Sequence, residues 1–373
     1  MYKIWFSMII IFAFISTIFV YSVGSEQPLN EGDKTMGSKA ILENVPPIGY
    51  NIHLCPFPGS LYAYLEYVKE PCDYDYIMGV TGAAFRRLWN RDDGGNVDLS
   101  YLGGKPYDYI FNALGLNTLG LEYLSAEKVK MVKAIKESIN KGRPVISFGI
   151  IGPPEAGLIT GYDKDGEILY GWNYFQEKKD KYYEKSDWFE AMDKNTGLIV
   201  IGDKKSNRPS DRETFITSLK WAINLERTAK RSDLPNHVSG LSAYEAWATG
   251  LEVDFDYPKD DPKVLETRAM VHCDQCVMLE ERRSAANFLR NMTKFTPEVA
   301  EQLSSAAKLY DETADQGQYL WHWGHWKDPK VGQALADPKT RREMAHYIRI
   351  AGKKEFQAVE YLEKAMTILT MKP

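Results

Sequence analysis

The sequence predicts an α+β protein in which a mixed α/β region with a small sheet precedes an all-α helical domain. Two observations predict this division. Short β-prone segments separated by turn residues lie before residue 205, and long helical patterns run from Asn207-Arg208-Pro209 to the end of the sequence. With 373 residues, 44% of them hydrophobic, the chain is long enough for two domains with full cores.

Periodicity places two helices and four strands in the first region. Apolar residues recur at helical spacing over 60–68 and 126–140, and Ser125 and Gly142 suit the two caps of the second helix. The β-prone segments, which we expect to form one sheet, are 144–150, 157–162, 168–172 and 197–201.

The helical domain is predicted to span 209–373. It opens with a capping box, in which Ser210 is followed three residues later by Glu213, and a further helix begins at Thr296-Pro297. One helical stripe is formed by Leu265, Ala269, Cys273, Cys276 and Val277.

The N-terminal segment is predicted to direct export. An uncharged apolar run over 4–23 indicates a signal peptide or an N-terminal anchor over 1–25, with a cleavage position before Glu26. The polar stretch 26–40 is interpreted as a flexible leader. We therefore expect a secreted or extracytoplasmic protein that associates with a membrane through this N-terminal segment only.

The charge balance argues against nucleic acid as a partner. There are 46 Lys and Arg against 51 Asp and Glu, which gives a formal net charge of −5, and no long basic run occurs. Four cysteines are too few for a disulfide scaffold in a chain of this length. We expect no cofactor and no metal site.

Cys55 stands directly before a predicted helix. Pro56 and Pro58 both fit a first helical turn, where backbone N–H groups have no partner within the helix. The Cys55 sulfur is therefore placed at a helix N-terminus, where the dipole favours a negative charge and so the thiolate. The alternative is a buried, inert cysteine that only packs.

Several motifs resemble a known family in order and spacing. They are Cys55 with its helix, Asp75-Tyr76-Ile77-Met78-Gly79-Val80-Thr81-Gly82-Ala83-Ala84-Phe85-Arg86, Gly142-Arg143-Pro144-Val145-Ile146, Gly161-Tyr162-Asp163 and Gly171-Trp172-Asn173. Residues 41–205 resemble the N-terminal domain of butirosin biosynthesis protein H and its relatives. That group belongs to the papain-like cysteine peptidase superfamily, close to the peptidases that process double-glycine leader peptides. The resemblance implies a papain-like domain with a small antiparallel sheet and an N-terminal nucleophile helix.

The resemblance also implies a catalytic cysteine, a histidine and an Asn or Asp. Cys55 and Asn173 match the first and third places, whereas the histidine place falls on Glu155 or Ala156. A carboxylate beside a thiolate repels it, so either Glu155 is protonated and acts as a general acid, or Cys55 remains a neutral thiol. His53, two residues before the cysteine, is a further candidate base or a packing residue.

Trp172, Arg86 and Asp93 are assigned to substrate binding. Arg86 suits a carboxylate or phosphate, although ion-paired arginines are common. Asp93 lies in the polar segment 89–98, which is interpreted as a turn near the cleft rather than a calcium loop, because the EF-hand spacing is absent.

Two other clusters have a packing and a functional interpretation. The segment 272–276 contains two cysteines three residues apart, which favours core packing over a metal or redox site. The aromatic segment 319–326 either packs helices together or contacts a ligand. In the second case His322 and His325 could donate a proton to the cleft if this segment folds over it.

Together these patterns predict an exported thiol-dependent hydrolase or acyltransferase that acts on an amide, ester or thioester bond of a small molecule or peptide. The alternative is a catalytically degenerate papain-like protein that binds a peptide, glycan or small metabolite. A structural interaction module is a third interpretation. Export favours hydrolysis, since an exported protein rarely meets the acyl carrier proteins that supply the butirosin relatives.

Overall fold

The computed structural model describes residues 38–92, 99–103, 105–122, 128–191, 197–325 and 328–371. The predicted signal segment 1–25, most of the leader, Asp93, Ser125 and Trp326 lie outside the described residues. Among the helices of the described ranges, none is both long and apolar enough to cross a membrane.

A seven-stranded antiparallel sheet forms the centre of the first region. The strand order is β3-β8-β4-β5-β6-β7, with β1 paired to β5. These strands are β1 (Ala40–Ile41), β3 (Leu116–Glu122), β4 (Val145–Phe148), β5 (Ala156–Asp163), β6 (Ile168–Asn173), β7 (Tyr183–Lys185) and β8 (Gly197–Lys204). The four predicted strands are confirmed, and β1, β3 and β7 enlarge the sheet beyond the prediction.

The sheet extends across the predicted domain boundary at residue 41. Ala40 pairs with Tyr162 at the start of β1, and the carbonyl of Ser38 accepts a hydrogen bond from the Asp165 N–H at 2.9 Å. Ala40, the last residue of the predicted leader, is therefore part of the sheet.

Helices make up most of the remaining described structure. In the first region they are α1 (Pro56–Tyr67), α2 (Tyr74–Thr81), α3 (Lys105–Ala113), α4 (Lys128–Asn140) and α5 (Trp188–Ala191). The helices after residue 209 are α6 (Asp211–Arg227), α7 (Ser242–Leu251), α8 (Pro262–Glu280), α9 (Arg282–Met292), α10 (Ala300–Trp321), α11 (Pro329–Ala336) and α12 (Pro338–Met371). The capping box of Ser210 and Glu213 is confirmed at the start of α6.

The prediction that the second region is entirely helical is wrong. A short strand, β9 (Val238–Ser239), pairs antiparallel with β2 (Leu88–Trp89) of the first region. Near Thr296 the chain first forms a single 3-10 turn, Pro297–Val299, and the long helix α10 starts only afterwards.

The two regions share one hydrophobic core. The cluster of buried side chains that contains Cys55 and Phe57 also contains Phe288 of α9, Tyr310 of α10 and Leu362 of α12. A Cβ atom at Gly79 of α2 would lie 2.1 Å from the Phe288 ring, so this glycine allows the two helices to approach. The helical region therefore forms part of the surroundings of the candidate site.

Six charged side chains are buried where the two regions meet. They form the buried charge cluster, which consists of Arg86, Arg87, Glu226, Glu281, Arg282 and Glu355. Arg282 donates two hydrogen bonds to Glu355, at 2.8 and 2.6 Å, and Arg86 donates to Glu281 at 2.7 Å. A third carboxyl group, that of Glu226, lies 3.8 Å from Arg282. Pairing of this kind compensates for the cost of removing each charge from water.

We expect a Glu226→Gln substitution to stabilise the protein at alkaline pH relative to the wild type. Burial and the neighbouring Glu355 raise the pKa of Glu226 well above its ordinary value. A glutamate whose pKa is raised in the folded state stabilises the protein fully at pH values below its ordinary pKa. This stabilisation is lost as the pH rises through the pKa of the folded state, and the loss is about 1.4 kcal/mol for each unit by which the pKa is raised. Urea unfolding at pH 5 and pH 8 measures this; an equal difference between variant and wild type at both values would contradict it.

Candidate active site around Cys55

Cys55 occupies the N-cap position of α1, as the two prolines predicted. Its backbone is extended, with φ −100° and ψ 115°, and Pro lies in the first turn of the helix. The side chain is completely buried. The backbone N–H of Cys55 donates to the Tyr74 hydroxyl at 3.4 Å, and the Tyr174 hydroxyl donates to the Cys55 carbonyl at 3.5 Å. The cysteine is therefore held on both sides by phenol groups.

Arg86 supplies the positive charge near the thiol. Burial works to lower the pKa of Arg86, whereas the charges of Cys55 and Glu281 raise it above the ordinary value, so the guanidinium is within electrostatic range of the thiol. Arg86 also donates to the Ala83 carbonyl at 2.6 Å. The expectation that Arg86 binds a substrate is not supported by this position, because the carboxylate that it binds is that of Glu281.

Glu155 lies directly before β5 and is almost completely buried. The Tyr50 hydroxyl donates to Glu155 Oε2 at 2.6 Å, and the Tyr50 ring packs edge to face on Tyr174, with centroids 4.8 Å apart. Burial, then the charges of Cys55 and Glu155, raise the pKa of Tyr174 well above its ordinary value. Tyr174 is therefore within electrostatic range of both predicted catalytic groups.

Asn173 and Trp172 end β6 and are both buried. Asn173 pairs with Gly157 across the sheet, and its Oδ1 accepts a hydrogen bond from the Phe175 N–H at 2.8 Å. Trp172 donates from Nε1 to the Val45 carbonyl at 2.9 Å, and this bond fixes the segment that leads to Cys55. These bonds give the Asn173 oxygen and the Trp172 ring structural partners within the chain.

His53 does not occupy the place of the missing histidine in the sheet. Its ring stacks on Tyr74, with centroids 4.0 Å apart and an interplanar angle of 14°, and it also contacts the Tyr62 edge. Burial lowers the pKa of His53, so the stacked ring favours the neutral imidazole. This geometry agrees with the packing alternative for His53.

Sequence reasoning missed four residues of the site: Tyr50, Tyr74, Tyr174 and Glu281. The high tyrosine content and the position of Tyr174 directly after Asn173 were the signals that could have indicated the phenol groups. Glu281 lies 195 residues from Arg86 and carries no local signal.

The other two clusters pack within the helical region. Cys273 and Cys276 are buried in α8, where the Cys276 sulfur lies 3.6 Å from His272 Nε2, and burial raises the pKa of Cys273 to about 12. Among the described residues, no group of three or more His, Cys, Asp or Glu side chains is arranged so that it could hold a metal ion.

The aromatic segment after residue 319 makes helix-packing contacts. Tyr319 stacks on Tyr347 of α12 at 4.9 Å, and Trp321 stacks on His325 at 4.4 Å. Trp321 and Trp323 pack against a second core cluster, to which Cys55 does not belong. These contacts agree with the packing alternative and give no support to proton donation by the histidines.

Comparison with known proteins does not place the chain in a family. No protein-family model matches the sequence, and no curated protein is significantly similar to it.

We expect a Gly59→Ala substitution to disturb the site. A Cβ atom at Gly59 would lie 2.1 Å from the Tyr174 hydroxyl and 3.1 Å from His53 Cβ, so the tyrosine must move away from the Cys55 carbonyl. Overpacking of this kind costs about 1–3 kcal/mol, more than the gain of roughly 1 kcal/mol in helix propensity. Urea unfolding measures the net loss.

Gly332 provides the matched control, since it also lies in a helix, α11, but its nearest neighbour to an added Cβ is 3.8 Å away. A Gly332→Ala substitution is expected to be neutral or stabilising. Equal stabilisation by both substitutions would show that Tyr174 is not held against α1.

Proposed function

We propose that the protein is an exported papain-like thiol hydrolase or acyltransferase in which Cys55 is the nucleophile. The observation that carries this proposal is the position of Cys55 at the N-terminus of α1, with the Arg86 guanidinium within electrostatic range. A helix N-terminus and a neighbouring cation are the two features that favour a thiolate. Arg86 thus supplies the positive charge that a histidinium would supply in a cysteine–histidine pair.

The order of the site residues supports the papain-like assignment. Cys55 caps the first long helix, Glu155 precedes β5 and Asn173 ends the neighbouring strand β6. These are the three places that the resemblance implies, with a carboxylate in the second. The apolar segment near the N-terminus supports export.

The proposed reaction has two steps. The Cys55 thiolate attacks the acyl carbon, a C–S bond forms, and the leaving group departs with the electron pair of the broken bond. In hydrolysis Glu155 then takes a proton from water, the hydroxide forms a C–O bond, and the C–S bond breaks to regenerate the thiolate. Glu155 then releases its proton to solvent, which restores the carboxylate, and the alkoxide or thiolate released in the first step takes up a proton from solvent, so that the overall reaction balances.

The base role of Glu155 follows from its hydrogen bond. Tyr50 donates to the carboxylate at 2.6 Å, and a donor favours the ionised form of the acceptor. This bond argues against the first predicted arrangement, in which Glu155 is protonated and acts as a general acid. With Glu155 ionised, the proposal departs from the second arrangement, a neutral Cys55 thiol, because the helix N-terminus and Arg86 favour the thiolate. A chain of contacts leads from Glu155 through Tyr50 and Tyr174 to the Cys55 carbonyl, and the charges of both Glu155 and Cys55 act on Tyr174.

This chemistry favours esters and thioesters over amides. An amine leaving group must be protonated as it departs, which an ionised Glu155 cannot do in the first step. Alkoxide and thiolate leaving groups depart more readily. The complete burial of Cys55 further requires that the side chains covering the thiol move aside when a substrate binds.

The test is formation of an acyl-enzyme. The purified full chain is incubated with p-nitrophenyl acetate and with an aryl thioester of acetic acid, and the modified residue is located by mass spectrometry. We expect an acetyl group on Cys55 and product release that is lost in Cys55→Ala. The matched control is Cys72→Ala, which removes a more exposed cysteine and leaves turnover unchanged. Acetylation of Cys72 alone, or of no cysteine, would contradict the proposal.

A second candidate, a binding protein that has lost catalysis, is favoured by one observation. Cys55 is completely buried and its backbone N–H is already bonded to Tyr74, so the site is closed in the absence of substrate. Equal rates of product release by the wild type and Cys55→Ala would favour this candidate.

A further inference from the structure

The Arg86 guanidinium, which is within electrostatic range of Cys55, binds a carboxylate from the second region of the chain. Arg86 lies between α2 and β2, whereas Glu281 lies between α8 and α9 of the helical region. Arg86 Nη1 donates to Glu281 Oε2 at 2.7 Å and Nη2 donates to Oε1 at 3.3 Å. Both side chains are almost completely excluded from solvent, so their charges are weakly screened.

Surrounding groups hold this pair in place. Arg282 Nη1 donates to the Arg86 carbonyl at 2.8 Å, and Arg282 is itself bound by Glu355. The titratable and charged groups that face Glu281 are Arg86, Arg282, Arg87 and Tyr74, and those that face Cys55 are Arg86, Tyr74 and Tyr174. Of the two groups common to both sets, Arg86 carries the positive charge.

We propose that Glu281 is a positioning residue that limits the reactivity of Cys55 by sharing the Arg86 guanidinium with it. A cation between two anions stabilises each of them less than it would stabilise one alone. The helical region thus adjusts the nucleophile without touching the substrate. This inference rests on the proposed function, because it requires that Cys55 reacts as a thiolate.

The test is the pH dependence of Cys55 alkylation in a Glu281→Gln variant. The glutamine keeps an acceptor for Arg86 but removes the competing charge, so we expect the profile to move about one unit to lower pH and the rate at pH 6 to rise about tenfold. Rates are measured with iodoacetamide and quantified at Cys55 by mass spectrometry. The neighbouring Glu280→Gln variant is the matched control and is expected to keep the wild-type profile.

An unchanged or upward-shifted profile in a folded Glu281→Gln variant would overturn this inference while leaving the proposed function intact. If that variant does not fold, Glu281→Asp is used instead, because the shorter side chain keeps the charge but holds it farther from Arg86. We then expect a smaller shift of the Cys55 alkylation profile to lower pH, and the absence of a shift would overturn the inference. A wild-type Cys55 that reacts only as an ordinary thiol would instead overturn the proposed function itself.

Discussion

Replacing Arg282 by methionine is expected to lower the free energy of unfolding by about 3–5 kcal/mol, the cost of removing one partner from a buried ion pair. Arg282 is completely buried, and its loss removes the cation bonded to Glu355 and leaves Arg87 as the cation that still acts on both Glu355 and Glu226. The Arg86 carbonyl also loses a hydrogen-bond donor at 2.8 Å. Since the free energy of unfolding of native domains is about 5–15 kcal/mol, this loss is a large part of the total stability.

An exposed arginine with two carboxylate partners provides the control. Arg349 binds Glu245 and Glu252 at 2.9 and 2.7 Å, but its side chain is 37% exposed. Solvent weakens such pairs, so Arg349→Met is expected to cost less than about 1 kcal/mol. Urea unfolding of both variants gives the comparison. Similar losses in the two would mean that burial does not set the importance of Arg282.

Replacing Glu155 by glutamine is expected to slow hydrolysis of the acyl-enzyme by about 10²–10⁴-fold, the usual contribution of a general base. The glutamine side chain can still accept the Tyr50 hydrogen bond, which spans 2.6 Å in the wild type, but it cannot take a proton from water. Acetyl-Cys55 should therefore accumulate after one turnover. Mass spectrometry of samples quenched at successive times measures the acylated fraction of the protein. The amount of p-nitrophenol released in the first turnover measures the initial burst.

The Tyr50→Phe variant separates the base from its hydrogen bond. This variant keeps the Glu155 carboxylate but removes the hydroxyl that donates to it. The pKa of the base therefore rises, and the pH–rate profile for hydrolysis moves to higher pH. The rate at high pH should remain close to the wild-type rate. If the Glu155→Gln variant hydrolyses the acyl-enzyme at the wild-type rate, Glu155 is excluded as the base and another group must activate water.

Local rules were sufficient to predict the position of Cys55 and the central strands. Pro56 and Pro58 are compatible with a helix only in its first turn, so they fix Cys55 as the N-cap. The strands β4, β5, β6 and β8 are apolar runs bounded by turn residues, and the structure confirms them. By contrast, β3 contains Asn117 and Gly120, which weaken the strand pattern, and its pairing with β8 decides its conformation.

The surroundings of Cys55 depend on contacts between distant parts of the sequence. A stripe pattern predicts which residues are apolar, but it does not predict that Arg86 and Arg282 are buried with carboxylates from three other helices or loops. The cost of burying a charge makes such residues appear as surface residues in a sequence. Their pairing becomes evident only when the two regions are packed together.

The central claim is that Cys55 reacts as a thiolate, and the most direct test is the pH–rate profile of its alkylation in the wild-type protein. Cys72 is the internal reference, because it is more exposed than Cys55 while burial and Asp73 raise its pKa to about 12. We predict that iodoacetamide modifies Cys55 selectively, with a rate that reaches its plateau well below pH 8. A Cys55 rate that still rises above pH 9, or that stays below the Cys72 rate throughout, would contradict the claim.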